Sequence, residues 1–334
     1  MTVQSIGDQA RAFAMQAASS RIKTTLATLT AELSSGEVAD LGARLGGNTQ
    51  TLAGIEARLA RLAQFKTNAA EAAAHTQSMQ DALTAIQSAT EKLGQGLYLE
   101  PELATGGLVA ARSAEAVLTL QTMIGQLNGS VGQRFLFSGT ASDAAPLVSA
   151  DAILSELTTL VLGMTTAGDV AQAVSDWFDA PSGGFADVAY RGAAGGQRLP
   201  ISEETTLALT TTALSPAIRD SLKGLATAAL IDRGVLAGDP QEGRELLKGA
   251  GKTLMDNSPA LIAEMSRIGY AQQVIATVQT EGEAATATLQ TARNRLREAD
   301  PFATSAAISE AETKLQTLYS VIGRLSQLKL ADYI

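Results

Sequence analysis

Few side chains in this chain could do chemistry: among its 334 residues there is a single histidine and no cysteine. Without cysteine there are no disulfides and no thiolate metal sites, and one imidazole cannot assemble the usual zinc or non-haem iron ligand sets. The most tempting fragment is KGAGKT, Lys248 through Thr253, whose Gly-Lys-Thr ending matches that of a phosphate-binding loop. Upstream the pattern fails, because Leu246 stands where the leading glycine belongs and residues 242–247 read as helix where a buried strand should feed the loop. A flexible link between a middle domain and C-terminal helices is the expected role, with nucleotide binding through Lys248 to Thr253 the alternative. His75 lies in an Ala-rich helical stretch beside Glu71 and Thr76, with no Ser or Cys arrangement suggestive of a triad, and is expected to be a solvated helix position. The cluster Gly192, Ala193, Ala194, Gly195, Gly196 lacks the spacing of a dinucleotide fingerprint and is expected to be a hairpin turn. Trp177 and Phe178 are expected to anchor a core, while Glu203-Glu204 and Arg293, Arg295 and Arg297 read as solvated faces. The residues therefore point away from an enzyme, with no cofactor and no metal.

Composition narrows the partners. A formal charge of -9 with no clustered basic run would repel a phosphate backbone, so no nucleic-acid partner is expected. No stretch approaches the roughly 20 apolar residues of a membrane span, and Gln4, Asp8 and Arg11 interrupt the start where a signal peptide needs an apolar run. Neither membrane insertion nor a cleavable signal is expected. With 46% hydrophobic side chains but only 4% aromatics, long helices are favoured over a β-sandwich.

The helices that would carry any functional surface announce themselves by period. Ile22, Leu26, Leu29 and Leu33 form a short seam that ends at Ser34-Ser35-Gly36. Leu41, Leu45, Asn48, Leu52, Ile55, Leu59 and Leu62 alternate steps of four and three, as do Met79, Leu83, Ile86, Thr90, Leu93 and Leu97 before Glu100-Pro101. Val117, Leu120, Ile124, Leu127 and Val131 form a third run, closed by Gly129 and Gly132. Towards the other end, a helix is expected from about Pro259 to Glu298, broken at Asp300-Pro301, after which Ile308, Ala311, Leu315, Leu318, Ile322 and Leu325 resume the alternation. The middle changes texture: strands are expected at residues 134–139, 185–191, 197–201 and 205–210, and helices at 150–164, 170–178 and 216–231.

The expected fold is thus mainly α: a long antiparallel helical bundle or coiled coil formed by both chain ends, with a small α+β domain inserted in the middle. Its parts are a terminal assembly helix at 1–40, ordered only on polymerisation; half of a helical rod at 41–138; an outer domain at 139–250; the other half at 251–299; and a second assembly helix at 300–334. Exposed apolar stripes cost about 25 cal/mol per Å², and short isolated helices are marginal in water, so the terminal seams would order best against neighbouring subunits. An ordinary antiparallel bundle accounts for the same heptads equally well.

Three blocks of sequence bear on that choice. Residues 29–41 read LTAELSSGEVADL, residues 132–140 read GQRFLFSGT, and residues 300–334 read DPFATSAAISEAETKLQTLYSVIGRLSQLKLADYI. Together they resemble the flagellin superfamily, most closely its flagellar hook-filament junction proteins, with the closing LKLADYI more like those than like filament flagellins. The resemblance covers both ends and not the middle. It implies a structural subunit of the bacterial flagellum, secreted without a cleavable signal through the flagellar type III apparatus and polymerised by its terminal helices. Flagellin, the filament subunit itself, is the alternative. Expected partners are other copies in a ring, an adjacent hook-associated protein, flagellin, and a cytoplasmic export chaperone. The packing residues it implies are Ile22, Leu26, Leu29, Leu33, Ile308, Leu315, Leu318, Ile322, Leu325 and Leu328. Arg134, Phe135, Leu136, Phe137, Ser138 and Gly139 match the family's passage from inner bundle to outer domain.

Overall fold

Ala-, Gln- and Leu-rich runs with few breakers become long helices in the computed structural model, which describes residues 6–99 and 106–331, with side chains over residues 9–99 and 106–324. The order is α1 (Ile6–Ser35), α2 (Leu41–Arg44), α3 (Gln50–Leu99), α4 (Gly106–Leu127), β1 (Ser130–Val131), β2 (Arg134–Phe135), α5 (Ala150–Leu160), α6 (Ala167–Asp179), a π-helical turn (Phe185–Ala189), β3 (Gln197–Pro200), β4 (Thr206–Leu209), α7 (Pro216–Ala229), α8 (Pro240–Arg297) and α9 (Pro301–Ala331). Two antiparallel strand pairs, β1 with β2 and β3 with β4, are the sheets among the described residues. The fold is mainly α, with long helices from both ends of the chain packed together and small strand pairs in the middle.

The chain divides into two compact units, residues 1–62 with 284–334, and residues 63–283. In the first, α1 packs along α9. In the second, α3 supplies Met79, Leu83, Ile86, Thr90, Leu93 and Leu97, all buried, so that seam is a core face throughout. Leu120, Met123, Ile124 and Leu127 of α4 join the same core, as do α5 and α6 through Leu154, Leu157, Val170 and Val174.

Several boundaries differ from expectation for physical reasons. Residues 41–62 do not form one seam: Asp40 caps a single turn, accepting from the Ala43 N–H at 2.9 Å, and Gly46 and Gly47 at φ +60° and +83° break the chain before α3 begins. Val131 lies in β1, past the end of α4. The helix expected from Pro259 starts at Pro240, where the Asp239 carboxylate accepts from the Gln241 N–H at 2.9 Å, and it runs through Pro259. An internal proline costs about 3 kcal/mol locally, but burial of Leu246, Leu247, Ala250, Leu254 and Leu261 on one face of α8 holds both sides in one helix. The stop at Glu100-Pro101 lies outside the described residues.

The strands expected at 197–201 and 205–210 form β3 and β4, and the three middle helices form α5, α6 and α7. Residues 185–191 instead open with the π-helical turn, which buries Phe185 and Ala189 on one side after Gly184 at φ +56°. Of residues 134–139, only Arg134 and Phe135 pair as a strand; the rest turn inward.

Candidate functional site

The candidate assembly surface is built by the pairing of two turns. α1 stops where Ser35 meets Gly36, whose φ of +73° lets its N–H reach back to the Glu32 carbonyl at 2.8 Å. At the other end, Asp300 and Pro301 start α9, the Asp300 carboxylate accepting from the N–H groups of Phe302 at 2.9 Å and Ala303 at 3.2 Å. The sequence reads these as separate stops, but the chain joins them. The Ala299 N–H donates to the Gly36 carbonyl at 2.9 Å, and the Val38 N–H donates to the Arg297 carbonyl at 2.8 Å. Arg297 also donates to the Glu37 carboxylate at 2.9 Å and lies 3.7 Å from that of Glu56. Arg297, expected to be a solvated face residue, is instead the side chain that ties this junction.

From the junction α1 and α9 run antiparallel, Lys23 lying 5.9 Å from the centre of the Tyr319 ring. Ile22, Leu26 and Leu29 on α1 and Ile308, Leu315, Leu318 and Ile322 on α9 are half-buried, while Ala311 is buried. Leu33, one turn on from Leu29 on the same face of α1, is nevertheless 42% exposed. Leu325 and Leu328 fall within α9, but their side chains lie outside the described residues, as does the closing stretch at 332–334. Phe13 and Phe302 stand 74% and 87% exposed on these helices, apolar surface that the pair does not cover.

In the second unit the GQRFLFSGT block is a crossroads of backbone. β1 and β2 close over a two-residue turn at Gly132, with Val131 opposite Arg134. The Leu136 N–H then donates to the Gly129 carbonyl at 3.0 Å, the Phe137 carbonyl accepts from Ala213 at 2.9 Å, and the Ser138 carbonyl accepts from Ala193 at 2.9 Å. Leu136, Phe137, Ser138 and Gly139 are buried and Arg134 is exposed. Gly139 has φ +68°, and a Cβ there would lie only 2.1 Å from the Ala193 oxygen, so glycine is required. The 192–196 cluster is therefore not a hairpin turn but the strand of backbone that approaches residues 138–139; the observed hairpin turn is at 201–205, between β3 and β4. Asn128, which sequence reasoning missed, clamps the region by donating to the Leu147 carbonyl and accepting from the Leu147 N–H, both at 2.9 Å. Its position just past a helix end, before glycine, was the available signal.

His75 is not solvated. It is 6% exposed, hydrogen-bonded to the Leu136 backbone, and its Nε2 is buried with no hydrogen-bond partner. Burial first, and then the nearby Arg134 charge, push its pKa below the usual imidazole value, against the bond to Leu136. KGAGKT is likewise not a link: it lies inside α8, and Gly251 packs where a Cβ would meet the Gly94 carbonyl and the Leu97 Cβ of α3, both at 2.8 Å. Gly224 of α7 packs on Leu254 of α8 in the same way, at 2.7 Å. A phosphate cradle needs free backbone N–H groups, and these are committed to the helix. Phe178 and Phe185 are fully buried and stack at 5.1 Å, with Trp177 edge-on to both, so this cluster anchors the core as expected. Among the described residues no three carboxylate or imidazole side chains converge as metal ligands would, and no helix is long and apolar enough to cross a membrane.

No protein-family model and no curated protein sequence matches the chain. Solved structures do. FlgL of Bacillus cereus superposes with a TM-score of 0.50 at 13% identity, covering 72% of this chain and 99% of that one. The chain has the FlgL fold. A protein assigned as flagellar hook-associated from Vibrio parahaemolyticus is also similar, with a TM-score of 0.49 at 14% identity over 74% of this chain and 96% of that one. In this chain the α1–α9 pair and its turn junction are the part built from both ends.

Proposed function

We propose that the chain is a structural subunit of the bacterial flagellum that joins hook to filament. The observation that carries this reading is the likeness to FlgL over nearly all of that protein, reached independently of the three sequence blocks. The reading takes α1 and α9 as the assembly helices. Their stripe is only half-buried within one chain, and Phe13 and Phe302 are left in water, so neighbouring copies in a ring would cover what the pair cannot. The subunit would be exported by the flagellar type III apparatus, with a chaperone shielding the C-terminal seam in the cytoplasm. Outside the cell it would contact a hook-associated neighbour on one side and flagellin on the other. Its work is binding geometry and no turnover is involved.

The test is electron microscopy of a deletion strain together with its culture medium. Bare hooks with flagellin shed into the medium are expected. Bare hooks with no flagellin in the medium would identify the chain as flagellin itself, and intact filaments would refute both.

A further inference from the structure

The β3–β4 hairpin has two edges that differ in kind. The Ile201 N–H donates to the Thr205 carbonyl at 3.0 Å, which makes that pair a hydrogen-bonded one and fixes the alternation along the ladder. Leu199 with Leu207 and Gln197 with Leu209 then bond to each other, while Pro200 opposite Thr206 and Arg198 opposite Ala208 turn their backbone groups outward. On the β3 side this edge is blunted: Pro200 has no N–H to offer, and its carbonyl accepts from the Asn68 amide at 2.9 Å. On the β4 side the outward groups belong to Thr206, Ala208 and Thr210, without charge, proline or bulge to deter pairing. Short as β4 is, an edge without these devices is open to pairing with another strand.

The edge also borders a groove. A cavity of about 580 Å³ lies between β4 and α8, lined on the helix side by Ser266, Arg267, Tyr270, Ala271 and Val274. Thr211 fixes the end of β4 to α8 through its hydroxyl, which donates to the buried Glu264 carboxylate at 2.9 Å. Glu264 also holds Arg267 at 2.8 Å through one guanidinium nitrogen, leaving a side chain that is 67% exposed. Arg267 is the one formal charge in the lining, and no carboxylate lines the groove with it. Tyr270, 70% exposed, supplies an apolar wall.

We propose that this edge takes up an extended polypeptide strand carrying one carboxylate, which pairs with Thr206, Ala208 and Thr210 and sets its acid against Arg267. The unpaired N–H and C=O groups call for a strand, and the threonine and alanine side chains admit small or β-branched residues beside them. The inference does not rest on the flagellar reading.

The probe is a synthetic hexapeptide of alternating threonine and valine with one terminal glutamate, and its control is the same peptide with alternate amides N-methylated. Hydrogen exchange in the full chain at millimolar peptide reads the result. Exchange at Thr206, Ala208 and Thr210 is expected to slow about tenfold or more, with Leu207 and Leu209 unchanged because they already bond to β3. Ala208→Pro removes an outward N–H without touching the ladder to β3 and should abolish the effect with melting unchanged; Thr206→Lys serves the same purpose should that variant unfold. Arg267→Ala should weaken binding of the glutamate peptide but not of its glutamine analogue. No slowing at the three amides, or equal slowing by the N-methylated control, would overturn the proposal. Slowing that rises with protein concentration in the absence of peptide would assign the edge to a second copy and overturn it equally.

Discussion

Arg297 and Glu37 sit 260 residues apart in sequence, yet the guanidinium of one donates to the carboxylate of the other at 2.9 Å, and the Arg297 carbonyl accepts from Val38. The pair holds the end of α1 against the end of α8. The ion pair itself is half in water and worth no more than about 1 kcal/mol. The backbone conformation beneath it matters more. Gly36→Ala forces a Cβ into the left-handed region at φ +73° and should cost about 1–2 kcal/mol. Arg297→Ala should cost less, and urea unfolding of both variants against the parent gives the order.

The crossing of α3 and α8 predicts that KGAGKT is a packing motif. Gly251→Val must displace the Gly94 carbonyl or Leu97, so overpacking should cost about 1–3 kcal/mol. Lys252→Ala should be close to neutral, because its partner Asp256 is one turn away on an exposed face. A phosphate-binding loop would give another pattern: saturating ATP would raise the melting temperature and Lys252→Ala would remove the rise. No rise is expected in thermal shift.

His75 predicts a pH dependence. Its folded pKa lies below the unfolded value near 6.5, so between the two the unfolded chain binds the extra proton. Stability from the neutral imidazole is therefore fully present above about pH 6.5 and is lost as pH falls from there towards the depressed folded value. Burial makes protonation costly first, and the Arg134 charge on β2 adds to it. His75→Gln should flatten the pH dependence over this window, and Arg134→Ala, by letting the folded pKa rise towards the unfolded one, should narrow the window from its lower end and reduce the loss. Chemical denaturation at a series of pH values measures both.

How much of this was legible differs by element. The seam from Met79 to Leu97 was plain because every position in it is buried, and period reports burial. The Ser35-Gly36 and Asp300-Pro301 stops were legible as local turn chemistry, but their partnership was not, since nothing local in a sequence encodes a backbone bond between residues 36 and 299. Pro259 misled for the opposite reason: it is a local breaker overridden by the apolar face on both sides of it. His75 and Gly251 were misread because a small or polar residue in a helix looks the same from sequence whether it faces water or a tight crossing. The free edge of β4 needed the register, which the alternation of Leu207 and Leu209 fixes only once β3 is known to lie beside it.

The pairing of α1 with α9 carries the last prediction. Leu318 is half-buried and Leu33 is exposed, although both occupy positions of the stripe. Leu318→Asp puts a carboxylate against Ile and Leu side chains, and even at partial burial an unpaired charge there should cost on the order of 2 kcal/mol. Leu33→Asp should cost a few tenths of that in the isolated chain. The two variants part further when neighbours matter. Should other copies cover what the pair leaves exposed, Leu33→Asp would leave the isolated chain folded yet abolish filament attachment, while Leu318→Asp would weaken both. Helix content of the purified chain by circular dichroism, with filament counts on complemented cells, separates these outcomes. Normal filaments in both variants would contradict an assembly role for this helix pair, because a stripe that tolerates charge at its half-buried and its exposed positions alike is not buried in any assembly.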